Sequence, residues 1–363
     1  MNDTLLEIDG SHGEGGGQIL RTALSLAALT GRAVHFHDIR AHRRKPGLAA
    51  QHLTSVRAAA ALCGARIEGN TLGSTALSFA PQTSVRAGAY RFDVAEAREG
   101  GSAGSAALVL QTVLLPLCLA SGPSEVTVEG GTHNPMSPPF DYLRDVWLKT
   151  LTRLGVEVEV DLEAWGWFPI GKGRIRATLT GWRDASAPRL SAVDLSERGA
   201  LVAVRGRGVA ANLPSHIPQR MADRALSLLL RLDCPLDIKA ERIRAACPGA
   251  GLFLTAVYEN SRAGFSAIGR RGRPSEEVAE EAALALIAHH SSSAALDSHL
   301  GDQILVPAAF CDAPSRFTVH RVTRHLRTNA WVIERFGLAD IEIEEGADGV
   351  GCVTIRPAAP PRG

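Results

Sequence analysis

The chain has 363 residues, 45% of them hydrophobic and 21% charged, with a formal net charge of only +1. This balance supports a sizeable core, in about two domains or one large domain with an insert. It excludes a broad basic surface that coats nucleic acid non-specifically, and leaves room for a local basic pocket. The six cysteines, Cys63, Cys118, Cys234, Cys247, Cys311 and Cys352, form no CxxC pair. They read as reduced core residues of a cytoplasmic protein, not as a zinc site. The start, MNDTLLEIDG, has neither the basic residues nor the apolar run of a secretory leader. The most apolar stretch, Ala106–Ala120, contains Gln111 and Pro116. It falls short of the ~20 residues a spanning helix needs, so a buried helix and no membrane partner are expected.

In chain order, Leu5–Asp9 reads as a strand running into the glycine loop Gly13–Gly17. A helical pattern follows from Gln18 to Thr30, closed by Gly31. Ala33–Ile39 alternates as a strand and leads into a basic loop, Arg40–Lys45. A second helix spans about Ala50 to Cys63 and stops at Gly64. Strands are expected at Arg66–Glu68, Ala76–Phe79 and Tyr90–Val94, so the first unit reads β-α-β-α-β-β. The rhythm returns: a second glycine-rich loop at Gly100–Ser105, the Ala106–Ala120 helix, a strand at Ser124–Val128, the Gly130–Pro139 loop and a helix from Phe140 to Leu154. Near the C-terminus, Gln303–Phe310 is helical in pattern and Arg316–His320 strand-like. A helix from about Asn329 to Phe336 and strands at Ile341–Glu344 and Val353–Ile355 complete it. This is a repeated α/β unit of about 80 to 90 residues.

A different stretch interrupts the repeats. Ala185–Leu190 is rich in Ser, Pro and Ala and marks a boundary. Beyond it come strands at Ala200–Gly206, Pro235–Lys239, Leu252–Glu259 and Phe265–Gly269. A helix is expected near Pro218–Arg231, and another at Ser275–Ser291 with Ser275 as its N-cap. His289–Ala294 reads as a polar exit. The expected division is 1–187 with 294–363 as the large domain and 188–293 as an inserted α/β domain.

Four motifs can carry chemistry. In GEGGGQILR, Gly13–Arg21, consecutive glycines before a helix let backbone N–H groups approach phosphate oxygens. Glu14 could hold a divalent metal beside them, and Arg21 adds a cation. The spacing is neither a P-loop nor a dinucleotide fingerprint, and a tight packing turn explains it as well. In Arg40–Leu48, four strong bases lie within six residues, as a solvated loop or as a phosphate-binding one. GGTHNPMSPP, Gly130–Pro139, is either a loop capping the next helix or a rigid wall of a ligand site. Asp302 and Gln303 sit at a helix start. His325 lies just before a helix expected to be capped by Thr328, where the helix dipole keeps the imidazole neutral and able to attack phosphorus. With 12 histidines in the chain, residue chemistry alone does not single this one out.

As an ordered set, GEGGGQILR, RRKPGL with QHL from Gln51, GSAGS with Gln111 downstream, GGTHNP, PGAG at Pro248–Gly251, GDQ and HLRTNAWVIERF resemble the RNA 3'-terminal phosphate cyclase family over essentially the whole chain. The resemblance implies an α/β (α+β) fold. Its large domain repeats β-α-β-α-β-β units, similar to the C-terminal domain of translation initiation factor 3, and carries a smaller inserted α/β domain. It implies three chemical steps. A histidine takes AMP from ATP, passes it to an RNA 3'-phosphate, and the vicinal 2'-hydroxyl closes a 2',3'-cyclic phosphate. By motif position His325 is the nucleophile and Glu14 the ligand of a divalent metal, Mg or Mn. Arg21, Arg43, Gln51 and Gln111 fall near the phosphates or the RNA end. Pro138 and Phe265 fall where the family packs adenine, and Asp302 and Gln303 in the nucleotide pocket. The implied partners are ATP and RNA with a 3'-phosphate end; the oligomeric state is left open.

The chain departs from the pattern in two places. His299 stands where relatives often carry tyrosine, keeping an aromatic ring against the nucleotide with different hydrogen bonding. His42 and Arg44 make the basic loop bulkier. Two alternatives stand beside this reading. One is a non-catalytic relative serving ribosome biogenesis, which lacks the histidine present here. The other is an enolpyruvyl transferase, whose domains also repeat β-α-β-α-β-β units.

Overall fold

The computed structural model describes residues 5–182 and 190–358. Residues 185–189 of the expected Ser/Pro/Ala boundary, and the expected domain start at 188, lie outside the described residues. The chain is mixed α/β and builds four four-stranded sheets.

The first sheet holds β1 (Leu6–Asp9), β2 (Val34–His37), β3 (Arg66–Glu68) and β4 (Leu77–Ala80), with α1 (Gly17–Thr30) and α2 (Ala50–Cys63) between its strands. The second holds β5 (Ala89–Asp93), β6 (Ser124–Gly130), β7 (Val158–Ala164) and β8 (Gly173–Leu179). Its connections are α3 (Ala106–Cys118) and a helical segment, 140–154, that starts as α4 (Phe140–Tyr142), passes a π turn at Leu143–Trp147 and continues as α5 (Leu148–Leu151). After β9 (Asp194–Leu195) comes the fourth sheet, of β10 (Leu201–Ala211), β11 (Leu236–Ile243), β12 (Gly249–Tyr258) and β13 (Arg262–Ile268), with α6 (His216–Leu229) and α7 (Ser275–Ser291). The chain then returns through α8 (Leu300–Ala308), β14 (Ser315–Val319), α9 (Arg324–Arg335), β15 (Ala339–Glu345) and β16 (Gly351–Pro357), and β14–β16 join β9 in the third sheet.

Three sheets share one order: β1-β2-β4-β3, β5-β6-β8-β7 and β9-β14-β16-β15. In each, the first two strands are parallel and the rest antiparallel. Parallel neighbours need a crossover and antiparallel ones a hairpin, so each set has a helix between its parallel strands and another before the hairpin; in the third set the crossover from β9 to β14 also contains the fourth sheet with α6 and α7. The remaining sheet, β11-β10-β12-β13, has a different order. One apolar core runs through residues 6–195 and 296–355, and a second, from Val204 to Leu286, lies under the fourth sheet. Helix α1 is buried nearly all round, including Leu20, Ala23, Leu24 and Ala27, because α2, α3 and α9 pack against it.

The differences from the sequence reading are local. Ala89–Asp93 opens the second sheet instead of closing the first. Strands β7, β8 and β9 carry no counterpart in that reading. Pro274, not Ser275, occupies the N-cap position of α7, and Ser275 is its first helical residue. His289 is no polar exit: it is fully buried on α7. Helix α9 starts at Arg324, five residues before the expected start, because Thr323 is the cap; its hydroxyl accepts from the Leu326 amide at 3.1 Å. His325 therefore lies inside the first turn, and Thr328 is a buried interior residue. All six cysteines are free thiols. No helix among the described residues is long and apolar enough to cross a membrane.

Candidate active site

Helix N-termini leave unpaired N–H groups and a partial positive charge. Several of them converge here. Gln51, in the first turn of α2, accepts the Ser105 amide at the start of α3 through its Oε1 at 2.9 Å. Asn329 of α9 donates to the Asp302 carbonyl in the first turn of α8 at 2.8 Å, and accepts from Thr22 of α1 at 2.7 Å. Gln111 of α3 donates to Gln303 of α8 at 2.6 Å, and Gln303 donates to the His299 carbonyl at 2.9 Å. These polar bonds tie five helices, α1, α2, α3, α8 and α9, into one frame.

The glycine loop closes over that frame. Gly13 and Gly15 adopt φ of 60° and 58°, the left-handed region that side chains disfavour. Space also demands glycine. A Cβ on Gly16 would strike the Glu14 carboxylate and lie 2.7 Å from Arg43 Nη2; one on Gly17 would strike His52 Nε2. The backbone thus comes close enough to Glu14, Arg43, His52 and Arg21 to share a ligand with them.

Charge is gathered at the same point. Glu14 Oε2 lies 3.1 Å from Arg43 Nη2 and 3.1 Å from His325 Nε2. Burial pushes the His325 imidazole below its ordinary range; Glu14 opposes this, while Arg21, His299 and Arg43 add to it. Its Nδ1 and the Thr328 hydroxyl, which faces Gly13, are buried without a hydrogen-bond partner. Arg21 bonds Gln18, and burial lowers its guanidinium to about 10 against the pull of Glu14 and Asp302. Among the described residues no carboxylate lies within 4.0 Å of Arg21. A half-buried cation without a direct ion pair, orphaned polar atoms and converging helix N-termini together favour an anion such as phosphate.

The sequence-derived residues fall into two groups. His325, Glu14, Arg21 and Arg43 form the charged cluster, with His299 near enough to act on His325. Gln51, Gln111, Asp302 and Gln303 form the hydrogen-bonded frame beneath it. Pro138 is half-buried in the loop beside them. That loop is rigid: Thr132 bonds His133 at 2.8 Å, and His133 bonds Asp141 at 2.9 Å. Phe265 stands apart from the charged cluster. It packs against the second core, its ring 5.5 Å from that of His289. Of the two departures, His42 packs against Gly15 and Arg43 alone of the basic loop reaches Glu14; Arg40 is spent on the Gly47 carbonyl at 2.7 Å.

His52 escaped the sequence reading, although it follows Gln51. Its Nδ1 accepts the Ala49 amide at 3.2 Å, which puts the ring proton on Nε2, facing Gly17 and Arg21. Burial, with Arg21, Arg40 and Arg43 around it, holds it well below the usual histidine range, so it is a neutral donor. The signal available in the sequence was position: it is the third residue of a helix that starts beside the basic loop.

The family model described as RNA 3'-terminal phosphate cyclase matches residues 12–343. A protein of Methylococcus capsulatus with that name is 59% identical over 97% of this chain and 97% of its own. Namesakes from Nostoc punctiforme and Trichormus variabilis are 52% and 50% identical, each over 94% of this chain and 97% of theirs. A match of this length, at this identity, spans both the charged cluster and the frame that holds it: the chain belongs to the RNA 3'-terminal phosphate cyclase family.

Proposed function

We infer that the protein converts an RNA 3'-terminal phosphate to a 2',3'-cyclic phosphate with ATP, through AMP carried on His325. The observation that carries this is the His325–Glu14 pair at the convergence of helix N-termini, within a chain of this family. A phosphate monoester is a poor electrophile. Attaching AMP gives it a good leaving group, which the neighbouring 2'-hydroxyl displaces.

His325 Nε2 faces Glu14, while Nδ1 is buried. Attack from Nε2 needs the ring neutral with its proton on Nδ1, so the Nε2–H that points at the Glu14 carboxylate must first be given up; burial and the surrounding cations favour the neutral form against Glu14. The Nε2–P bond forms as the bond to pyrophosphate breaks. Arg21, Arg43, His52 and the glycine-loop amides are placed to receive the negative oxygens. Asp302 and Gln303 would hold the nucleotide, Pro138 and Phe265 would pack its adenine, and His299 would keep an aromatic ring against it.

A divalent cation fits this site. Glu14 offers one carboxylate beside a phosphate-binding backbone, the sparse protein ligation that Mg takes when substrate phosphates complete its shell. Mg or Mn bound there would neutralise phosphate charge. Glu14→Gln is expected to raise the metal concentration needed for half-maximal self-adenylation by about tenfold or more. An unchanged metal titration would remove Glu14 as the ligand. His52→Phe keeps the bulk but deletes both the Nε2 donor and the Nδ1 acceptor of the Ala49 amide; self-adenylation is expected to fall about 10²-fold while the melting temperature drops by only a few degrees. A fall under about twofold would leave His52 a packing residue.

Like strand order in three sheets and two large cores, joined by a small third cluster of Trp167 with Val209, Ala211, Cys247 and Phe253, support a division into 1–187 with 294–363, and an insert at 188–293. The repeated units would then be those of the translation initiation factor 3 C-terminal fold. The cytoplasm is the proposed location. The deciding experiment supplies purified protein with ATP, Mg or Mn, and an RNA 3'-phosphate. The expected products are the 2',3'-cyclic end, AMP and pyrophosphate in equal amounts. An unaltered RNA end under both metals would overturn the reading in favour of a non-catalytic relative.

A further inference from the structure

The fourth sheet packs α6 and α7 on one face. Its other face looks across to the start of the 140–154 helical segment, and the two enclose a cleft of ≈ 360 Å³. Period-two alternation puts Arg205 and Arg207 of β10, Asp237, Lys239 and Glu241 of β11, and Thr255 and Val257 of β12 on this face. The cleft is therefore rich in charge, and the charges divide unevenly.

Three of the four acids in the cleft are engaged, and the fourth, Asp237, has no basic side chain within 4.0 Å among the described residues. Asp141 takes Arg207 at 2.6 Å and His133 at 2.9 Å. Burial raises its carboxyl, but His133 and Arg207 outweigh that and hold it at about 2, so it stays ionised. Glu241 takes the other side of Arg207 at 3.2 Å, and Asp145 takes Arg144 at 2.6 Å. Arg207 is further fixed over the Trp165 ring, 4.8 Å from its centroid. Arg205, Lys239 and Arg262 remain. Among the described residues none of the three has a carboxylate oxygen within 4.0 Å. Arg262 reaches only the Asp145 carbonyl, at 3.5 Å. Arg205 sits near enough to depress the Arg262 guanidinium, after the larger effect of burial. Asp145 offsets part of this repulsion, yet the three cations outnumber the one unengaged acid, Asp237, so an anion that joins them is favoured.

The cleft also opens beside the reaction site. Pro139 on its rim follows Pro138 directly. Tyr142 in its wall donates to Asp297 at 2.9 Å, and Asp297 accepts the His299 amide at 2.9 Å. The wall and the histidine beside His325 are thus one hydrogen-bonded piece.

We propose that this cleft holds the sugar-phosphate backbone of the RNA strand upstream of its 3' end, with Arg205, Lys239 and Arg262 meeting its phosphates. The proposal rests on the cyclase reading and extends it from the terminal phosphate to the strand behind it. Three unpaired cations above Thr255 and Val257 suit a polyanion with ribose between its charges, and recognition of this kind carries no base specificity.

The test compares wild type with Arg205→Ala/Arg262→Ala and with Lys239→Ala, on an RNA 3'-phosphate of about 20 nucleotides and on a dinucleotide 3'-phosphate. Wild type is expected to show a lower KM for the long RNA. The double variant should raise that KM about tenfold or more, and flatten the dependence of log affinity on log salt by about 0.7 for each phosphate it no longer neutralises. Its self-adenylation with ATP, and its turnover of the dinucleotide, should match wild type. A KM independent of RNA length in wild type, or unchanged in the variants, would overturn the proposal. Loss of self-adenylation in a folded double variant would assign the cleft to ATP and overturn it equally. Failure of the cyclase reading looks different: wild type would then cyclise neither RNA.

Discussion

Replacing His325 by alanine is expected to abolish covalent labelling by α-labelled ATP, a loss of about 10⁴-fold or more, as for the removal of other catalytic nucleophiles. The wild-type label should be acid-labile and alkali-stable, as a phosphoramidate is. No neighbour is placed to substitute. His52 turns its Nε2 toward Gly17, and His320 binds Ser292 through Nδ1 at 3.1 Å. His299 is exposed at the N-cap position of α8, where its own amide and carbonyl are bonded. A second arm separates a missing nucleophile from a damaged fold. Given RNA whose 3'-phosphate already carries AMP, the variant should still form the cyclic end, because that step does not use the histidine as nucleophile. Labelling that survives the substitution would move the nucleophile to His299 or His320. A variant that fails on pre-adenylated RNA as well would make His325 structural.

The legible part of this protein was its motifs; what sequence left open was where they meet. Gly31 and Gly64 close helices in the left-handed region, as their positions promised. Leu110, Val113 and Leu114 of α3 are buried in the main core, so the most apolar stretch is a core helix. Two strands that the reading passed over, Val158–Ala164 and Gly173–Leu179, alternate in their burial, and their charged outer residues hid an ordinary period of two. The start of α9 was misplaced because Thr323 and Thr328 are equally good cap residues. What decides is that Thr328 is needed behind Gly13, a meeting of residues more than 300 positions apart. Long-range partners were the general blind spot. Nothing local in Gln111 announces Gln303, nor in Thr22 announces Asn329. His52 was invisible for the same reason: its role depends on Ala49 fixing its tautomer and on Gly17 having no side chain.

The second large effect is expected at Asp302, and it is one of stability against pH. Its carboxyl is buried, and burial together with Asp297 pushes it up to about 8 from an unfolded value near 3.8, while its own helix amides and Arg21 pull the other way. A raised acid binds a proton in the folded chain that the unfolded chain releases. The stability this group contributes is therefore complete below pH ~4, is lost steadily as pH rises toward about 8, and changes no further above that. Asparagine keeps the shape, donates a hydrogen bond as the protonated acid does, and does not titrate. Asp302→Asn should thus gain on wild type between pH 5 and 8, by on the order of a few kcal/mol, and hold a constant lead above that. Melting midpoints of both proteins at pH 5, 7 and 9 read this directly, since every other titrating group cancels in the difference. A gap that does not change with pH would show that the carboxyl is ionised and paired in the fold. The same variant should bind ATP less well. If this buried carboxyl near Arg21 is kept for ATP, as proposed, exchanging it for the amide trades binding for stability, and an affinity for ATP unchanged in Asp302→Asn would remove that role.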